Sequence, residues 1–214
     1  GLVGSEMCIR DRFMAAVMNN DINFTDKLSF YKQEVNELGI LLTPPSINKS
    51  VEVFSVDSDK IIYALGALKN VGIESMRNII SVRNTGGDFK DIFDFANRVE
   101  LRKIGKRSLE MLIYAGVFDE ISNNRKQLFQ SIEILVEYSN VCFSEKYTGQ
   151  NNLFGETNNL LSYPDLKLIE DWNSSEKLKK EYEAIGFYLS AHPLDDYSKL
   201  FKSCLLYTSD AADD

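Results

Sequence analysis

Apolar residues recur at helical spacing in several separate stretches of the chain, and one short stretch alternates. Phe13 to Met18 reads as the end of a helix. Leu28, Tyr31, Val35 and Leu38 then stand at i, i+3, i+7 and i+10, behind Thr25 as an N-cap and ahead of Gly39 as a helix stop. Leu41 to Asn48 reads as extended, because residues ahead of Pro44 and Pro45 avoid the helical region. Val51 to Val56 alternates between two faces and predicts a strand. Asp57-Ser58-Asp59 reads as a three-residue turn, and Lys60 to Tyr63 as the second arm of a β-hairpin. Helical periods resume at Ile73, Met76, Ile79 and Ile80. They return in a short helix carrying Phe89, Ile92, Phe93, Phe95 and Ala96, and at Leu109, Leu112, Ile113 and Gly116. Two more follow, at Leu128, Phe129, Ile132, Leu135 and Val136 behind Asn123-Asn124, and at Leu178, Tyr182, Ile185 and Gly186. The pattern predicts a mainly α fold with a small β-hairpin.

The two ends break this pattern. Residues 1–12 carry no period that continues into Phe13, and residues 204–214 start abruptly after a regular segment. Both resemble translated adapter sequence at the ends of assembled fragments, so both are set aside as a non-native artefact, against the alternative of ordinary disordered termini. Between them the chain divides into 13–63 with the hairpin, 64–143 with the helical pairs, a polar linker over 144–175, and a helix over 176–203. Cys8 and Cys204 fall in the discarded ends, which leaves Cys142 and neither a disulfide framework nor a metal-ligand pair. No apolar run is long enough to span a bilayer and no leader pattern is present, so a cytoplasmic location and no membrane partner are expected.

Candidate chemistry gathers at two glycines. Lys69-Asn70-Val71-Gly72 leads into the helix that begins at Ile73, and glycine tolerates the positive φ that a sharp turn can require. The first amides of that helix lack partners inside it, and with the helix dipole they form an anion site. Ile104-Gly105 repeats the device. Around it stand five basic residues, Arg98, Arg102, Lys103, Lys106 and Arg107, against one acid, Glu100. Lysine and arginine oppose the dipole at a helix start, and a phosphate partner would remove the conflict; the alternative is a solvated charged face. Two glycine turns entering amphipathic helices resemble a tandem helix-hairpin-helix, a module that grips DNA backbone. The chain as a whole carries a charge of −8, so DNA binding has to come from this local patch.

Residues 144–159 are rich in Asn, Gly, Ser, Thr and Glu, and within them lies Gln150-Asn151-Asn152-Leu153-Phe154. Two large apolar side chains in a polar linker call for a partner or for a fold back onto the body. The pentapeptide resembles the bacterial sliding-clamp motif, in which Leu153 and Phe154 would fill an apolar pocket and Gln150 would hydrogen-bond at its rim. His192, the lone histidine, precedes a proline and reads as a turn or capping residue.

Taken in order, several segments resemble one family, the C-family bacterial replicative DNA polymerases, the DNA polymerase III alpha subunits. They are Phe13 to Ala16, Pro44 to Asn48, Ala64 to Gly72, Gly105-Lys106-Arg107 with Ala115 to Asp119, Gln150 to Phe154, and Gly186 to Leu194. The resemblance implies the end of the polymerase fingers, then a tandem helix-hairpin-helix, then a clamp-binding peptide, with an OB-fold to follow. It implies duplex DNA contact by Lys69, Asn70, Val71, Gly72, Arg102, Lys103, Gly105, Lys106 and Arg107, and clamp contact by Gln150, Leu153 and Phe154. It also implies further replicase subunits as partners of the parent protein. The family's catalytic aspartates lie upstream, so no catalytic residue, metal ligand or cofactor is expected here. Magnesium belongs to the parent enzyme, and the fragment alone should not polymerise DNA. Asn70 stands where many such hairpins have glycine, which puts the first phosphate grip in question, although asparagine tolerates the left-handed region. Two alternatives stay open: a free-standing, non-enzymatic helix-hairpin-helix DNA-binding protein, and an error-prone paralogue of the same polymerase.

Overall fold

Helices form where the apolar stripes lie, and one small sheet sits between the first two helices and the rest. The computed structural model describes residues 3–148 and 163–191, with side chains for 9–144 and 163–191. Gln150, Leu153, Phe154 and His192 lie outside the described residues. The elements run α1 (Val3–Asn20), α2 (Thr25–Glu37), β1 (Leu41–Thr43), β2 (Ser55–Asp57), β3 (Lys60–Ile62), a 3-10 turn at Leu65–Ala67, and α3 (Ile73–Gly86). They continue with α4 (Ile92–Arg98), α5 (Leu101–Ile104), α6 (Lys106–Tyr114), α7 (Arg125–Gln130), α8 (Ile132–Thr148) and α9 (Ser174–Ile185). The fold is mainly helical, as the pattern predicts.

The first sixty residues depart from the pattern in five places. No apolar period crosses Arg12, yet α1 runs through it unbroken. Its buried side is Asp11, Met14, Ala15 and Met18, and an aspartate heading the stripe hides it from a reading of apolar positions. Phe24, not Thr25, is the N-cap of α2 and offers no side-chain cap. The α1–α2 turn is held instead by Asp21, whose carboxylate accepts from Lys27 Nζ and the Tyr31 hydroxyl, both at 2.7 Å. The strand expected over Val51 to Val56 shrinks to β2, because the carbonyls of Val51 and Glu52 accept from the amides of Leu65 and Gly66. Asp57 pairs with Lys60, so the turn is two residues long, with Ser58 at φ 60 in place of the usual Asn or Gly. The hairpin is also part of a larger sheet, in the order β1-β3-β2, with β1 parallel to β3.

Further along, Met76, Ile79 and Ile80 are buried as expected, but Ile73 is 42% exposed. Phe89 is buried ahead of α4 rather than on it, since Asp91 caps that helix by accepting from the amides of Phe93 and Asp94. The single helix expected after Asn124 breaks at Ser131 into α7 and α8. In the core Phe89 meets Phe95 edge to face at 5.2 Å, and Phe118 packs tilted on Phe95 at 5.1 Å. The expected linker is still helical to Thr148. From Tyr163 it lies along the body: Tyr163 stacks on Phe93 at 4.6 Å, and Trp172 meets Tyr114 edge-on at 5.7 Å. A capping box of Asn173 and Glu176 starts α9, and Gly186 closes it in the left-handed conformation.

Candidate nucleic-acid interface

The two glycine turns are built differently. Gly72 has φ −75 and ψ 126, an ordinary extended conformation, so the sharp turn does not need its freedom. The left-handed residue of the first turn is Asn70, at φ 58, where the side-chain amide suits this region. Gly105 does need to be glycine, at φ 85 and ψ 148.

Both glycines are N-caps without a side chain to offer, whereas α4, α7 and α9 are capped by Asp91, Asn124 and Asn173. The first bonds inside the two hairpin helices run from Met76 N–H to the Gly72 carbonyl and from Leu109 N–H to the Gly105 carbonyl. The amides of residues 73–75 and 106–108 therefore have no partner within their helices. The two turns are fastened together, for the Ser108 hydroxyl on the first turn of α6 donates to the Asn70 carbonyl at 3.1 Å. The Lys69 amide donates to the Ala184 carbonyl at 2.9 Å, which ties the first turn to α9 and takes that amide out of reach of a ligand.

The basic cluster is more balanced than its local sequence. Lys103 pairs with Glu100 at 2.6 Å and Lys106 with Glu133 at 2.7 Å. Arg107 pairs with Glu110 at 3.0 Å and Glu183 at 3.2 Å. Arg102 is exposed and meets no acid among the described residues. The hydrogen bond to Glu133 raises the Lys106 pKa and that to Glu110 raises the Arg107 pKa; Lys106 in turn lowers that of Glu133. The conflict between these cations and the helix dipole is thus met by carboxylates from α6, α8 and α9, without a phosphate. Arg98 leaves the cluster altogether. It donates to the carbonyls of Val82 and Gly87 at the end of α3, pairs with Asp94 and lies over the Phe89 ring at 4.5 Å. Its role is to close α3.

Residues missed by the sequence reading complete the picture. Glu74 places a carboxylate on the first turn of α3, paired with Arg77 at 2.7 Å, so the first anion site carries a negative charge beside it. Ser108 joins the two turns. Glu110, Glu133 and Glu183 are distant in sequence or unremarkable in it. Among the described residues no three His, Cys, Asp or Glu side chains converge to hold a metal ion, and no helix is long and apolar enough to cross a membrane.

A family model described as a helix-hairpin-helix motif matches residues 39–128, a range that contains both glycine turns and the whole basic cluster. The chain is 40% identical over 184 residues to DNA polymerase III subunit alpha of Caulobacter vibrioides. It is 41% identical over 192 residues to that of Campylobacter jejuni. This chain is homologous to part of the DNA polymerase III alpha subunit. The Borreliella burgdorferi DNA polymerase III subunit alpha is 38% identical over 194 residues. The first two alignments take in 86% of this chain and 16% of the DNA polymerase III subunit, so the chain spans about one sixth of the length of these relatives.

Proposed function

We propose that this chain is the part of a bacterial replicative DNA polymerase that holds duplex DNA by its backbone and carries the contact to the sliding clamp. The observation that carries the DNA reading is the pair of glycine-led, side-chain-uncapped helix starts, fastened edge to edge by Ser108 and Asn70. Each start offers amides and a positive dipole end to a phosphate oxygen. The second is the stronger, with Arg102, Lys103, Lys106 and Arg107 around it; the first has Glu74 beside it. Exposed ion pairs are weakly held in water, so phosphates can replace the carboxylates now paired with these side chains. Grip through amides and cations reads no bases, and suits an enzyme that must move along any sequence. Phosphoryl transfer and its magnesium belong to the rest of the parent DNA-directed DNA polymerase, together with its other subunits and its cytoplasmic setting. The clamp contact is assigned to Gln150, Leu153 and Phe154.

The test is duplex binding by the full chain as a function of salt. Binding is expected to be weak, independent of sequence and steeply salt-sensitive. Replacing Arg102, Lys103, Lys106 and Arg107 by alanine should weaken it equally for all sequences and flatten the slope of log K against log salt by roughly two to four. Unchanged affinity and slope would reduce the cluster to a solvated face.

A further inference from the structure

We propose that the cavity between α2 and α9 is a stacking site for an unpaired nucleotide of single-stranded DNA. The inference rests on the DNA-holding reading above and adds a second strand state to it. The cavity has a volume of about 370 Å³, with Lys32, Gln33 and Asn36 of α2 on one side and Tyr182 and Tyr188 on the other. That is room for one base with its sugar. Tyr182 leaves 47% of its surface open, and its ring stands 5.0 Å from that of Tyr188 at an angle of 41°. The half-exposed Tyr182 ring at the mouth of the cavity gives a base a π face to stack on, whatever its sequence.

The Tyr188 wall is set in advance. Lys32 Nζ donates to the Tyr188 carbonyl at 2.5 Å. The amides of Leu189 and Ser190 donate to the Glu181 carboxylate at 2.7 and 2.9 Å, and Glu181 is only 3% exposed. These bonds fix the backbone that carries Tyr188, so less chain entropy is lost when a ligand arrives. On the opposite wall Gln33 and Asn36 are exposed, and their side chains meet no hydrogen-bond partner among the described residues. Amides both donate and accept, which matches the edge of a base that has no pairing partner. A paired base keeps that edge and its stacking faces occupied, so the site selects single strands.

Charge and position connect the cavity to the hairpins. The Lys69 ammonium lies 6.0 Å over the Tyr182 ring, and Lys69 opens the first glycine turn. Lys32 and Lys69 thus flank the cavity with two positive charges, against one carboxylate, Asp26, on its wall.

The experiment measures binding of the full chain to fluorescein-labelled oligo-dT and, separately, to a labelled duplex. Tyr182→Ala should weaken oligo-dT binding roughly five- to fiftyfold and leave duplex binding unchanged, while Tyr182→Phe should keep both. Unchanged oligo-dT affinity in Tyr182→Ala would overturn the inference. So would an equal loss on both probes, which would make Tyr182 a prop for the hairpin surface. A wild-type chain that binds duplex but not oligo-dT overturns this inference alone. One that binds neither overturns the DNA reading and this inference with it.

Discussion

Val71-Gly72 and Ile104-Gly105 look alike as residues, and the backbone treats them oppositely. At Gly105 an added Cβ meets nothing within 4 Å, so the only cost of a side chain there is the φ of 85. Gly105→Ala should therefore destabilise by about 1–3 kcal/mol, the usual cost of a non-glycine residue in such a region. At Gly72 the φ is ordinary, and an added Cβ would sit 3.6 Å from the Ser75 hydroxyl, a normal contact. Alanine there restricts the unfolded chain and is a poorer N-cap than glycine, two effects of opposite sign. Gly72→Ala should change stability by less than about 1 kcal/mol. Urea unfolding of the two variants is the check, and equal losses at both positions would contradict the geometry of the turns.

Among the longer-range ties between segments, Glu120 joins two that are far apart in sequence. It accepts from the Ser46 hydroxyl at 2.6 Å and pairs with Lys49, while the Ile47 amide donates to the Val117 carbonyl nearby. Partial burial pushes the Glu120 pKa up, but the hydrogen bonds from Lys49 and Ser46 outweigh it and hold the carboxyl below its ordinary 4.5. A depressed folded value means stabilisation that is fully present above the unfolded value and lost as pH falls through the folded one. Glu120→Gln should cost about 1 kcal/mol at neutral pH, allowing for its partial exposure, and the gap from wild type should close as pH falls below that ordinary value. Urea unfolding across this range measures it; a gap that persists in acid would assign the loss to packing. Helices with clean apolar stripes, such as the one holding Leu109, Leu112 and Ile113, were legible because burial alone sets their period. Elements fixed by polar residues were not. The head of α1 buries Asp11, and Arg83 is 7% exposed inside α3 because its guanidinium donates to the carbonyls of Ile47 and Ser50. The parallel strand β1 is three residues long and depends on a neighbour eighteen or more positions away, which no local period reports. The site was half legible for the same reason. Gly105 and the basic run stand in sequence, but two of the acids that neutralise the run, Glu133 and Glu183, come from α8 and α9.

For the whole molecule, the binding at stake is modest at every contact and gains strength by addition. Under the proposed function, a hairpin surface that grips backbone weakly and a short peptide that docks on a clamp would together hold an enzyme on DNA, because each would keep the other at high local concentration. The peptide is Gln150 to Phe154, two large apolar side chains in a polar stretch. Burying Leu153 and Phe154 on a partner contributes roughly 3–6 kcal/mol, at about 1.5–3 kcal/mol for each side chain. Ordering the segment around them offsets a good part of this, so the contact by itself should be no tighter than about micromolar. Leu153→Ala with Phe154→Ala should abolish binding of the full chain to a bacterial sliding clamp, read by surface plasmon resonance, and leave the melting temperature unchanged. The two readouts separate the alternatives, because a pair of side chains folded back onto the body would lower the melting temperature on truncation. Loss of clamp binding together with a matching loss of stability would place Leu153 and Phe154 in the fragment's own core. Undiminished clamp binding in the double variant would rule out Leu153 and Phe154 and place the clamp contact elsewhere in this chain.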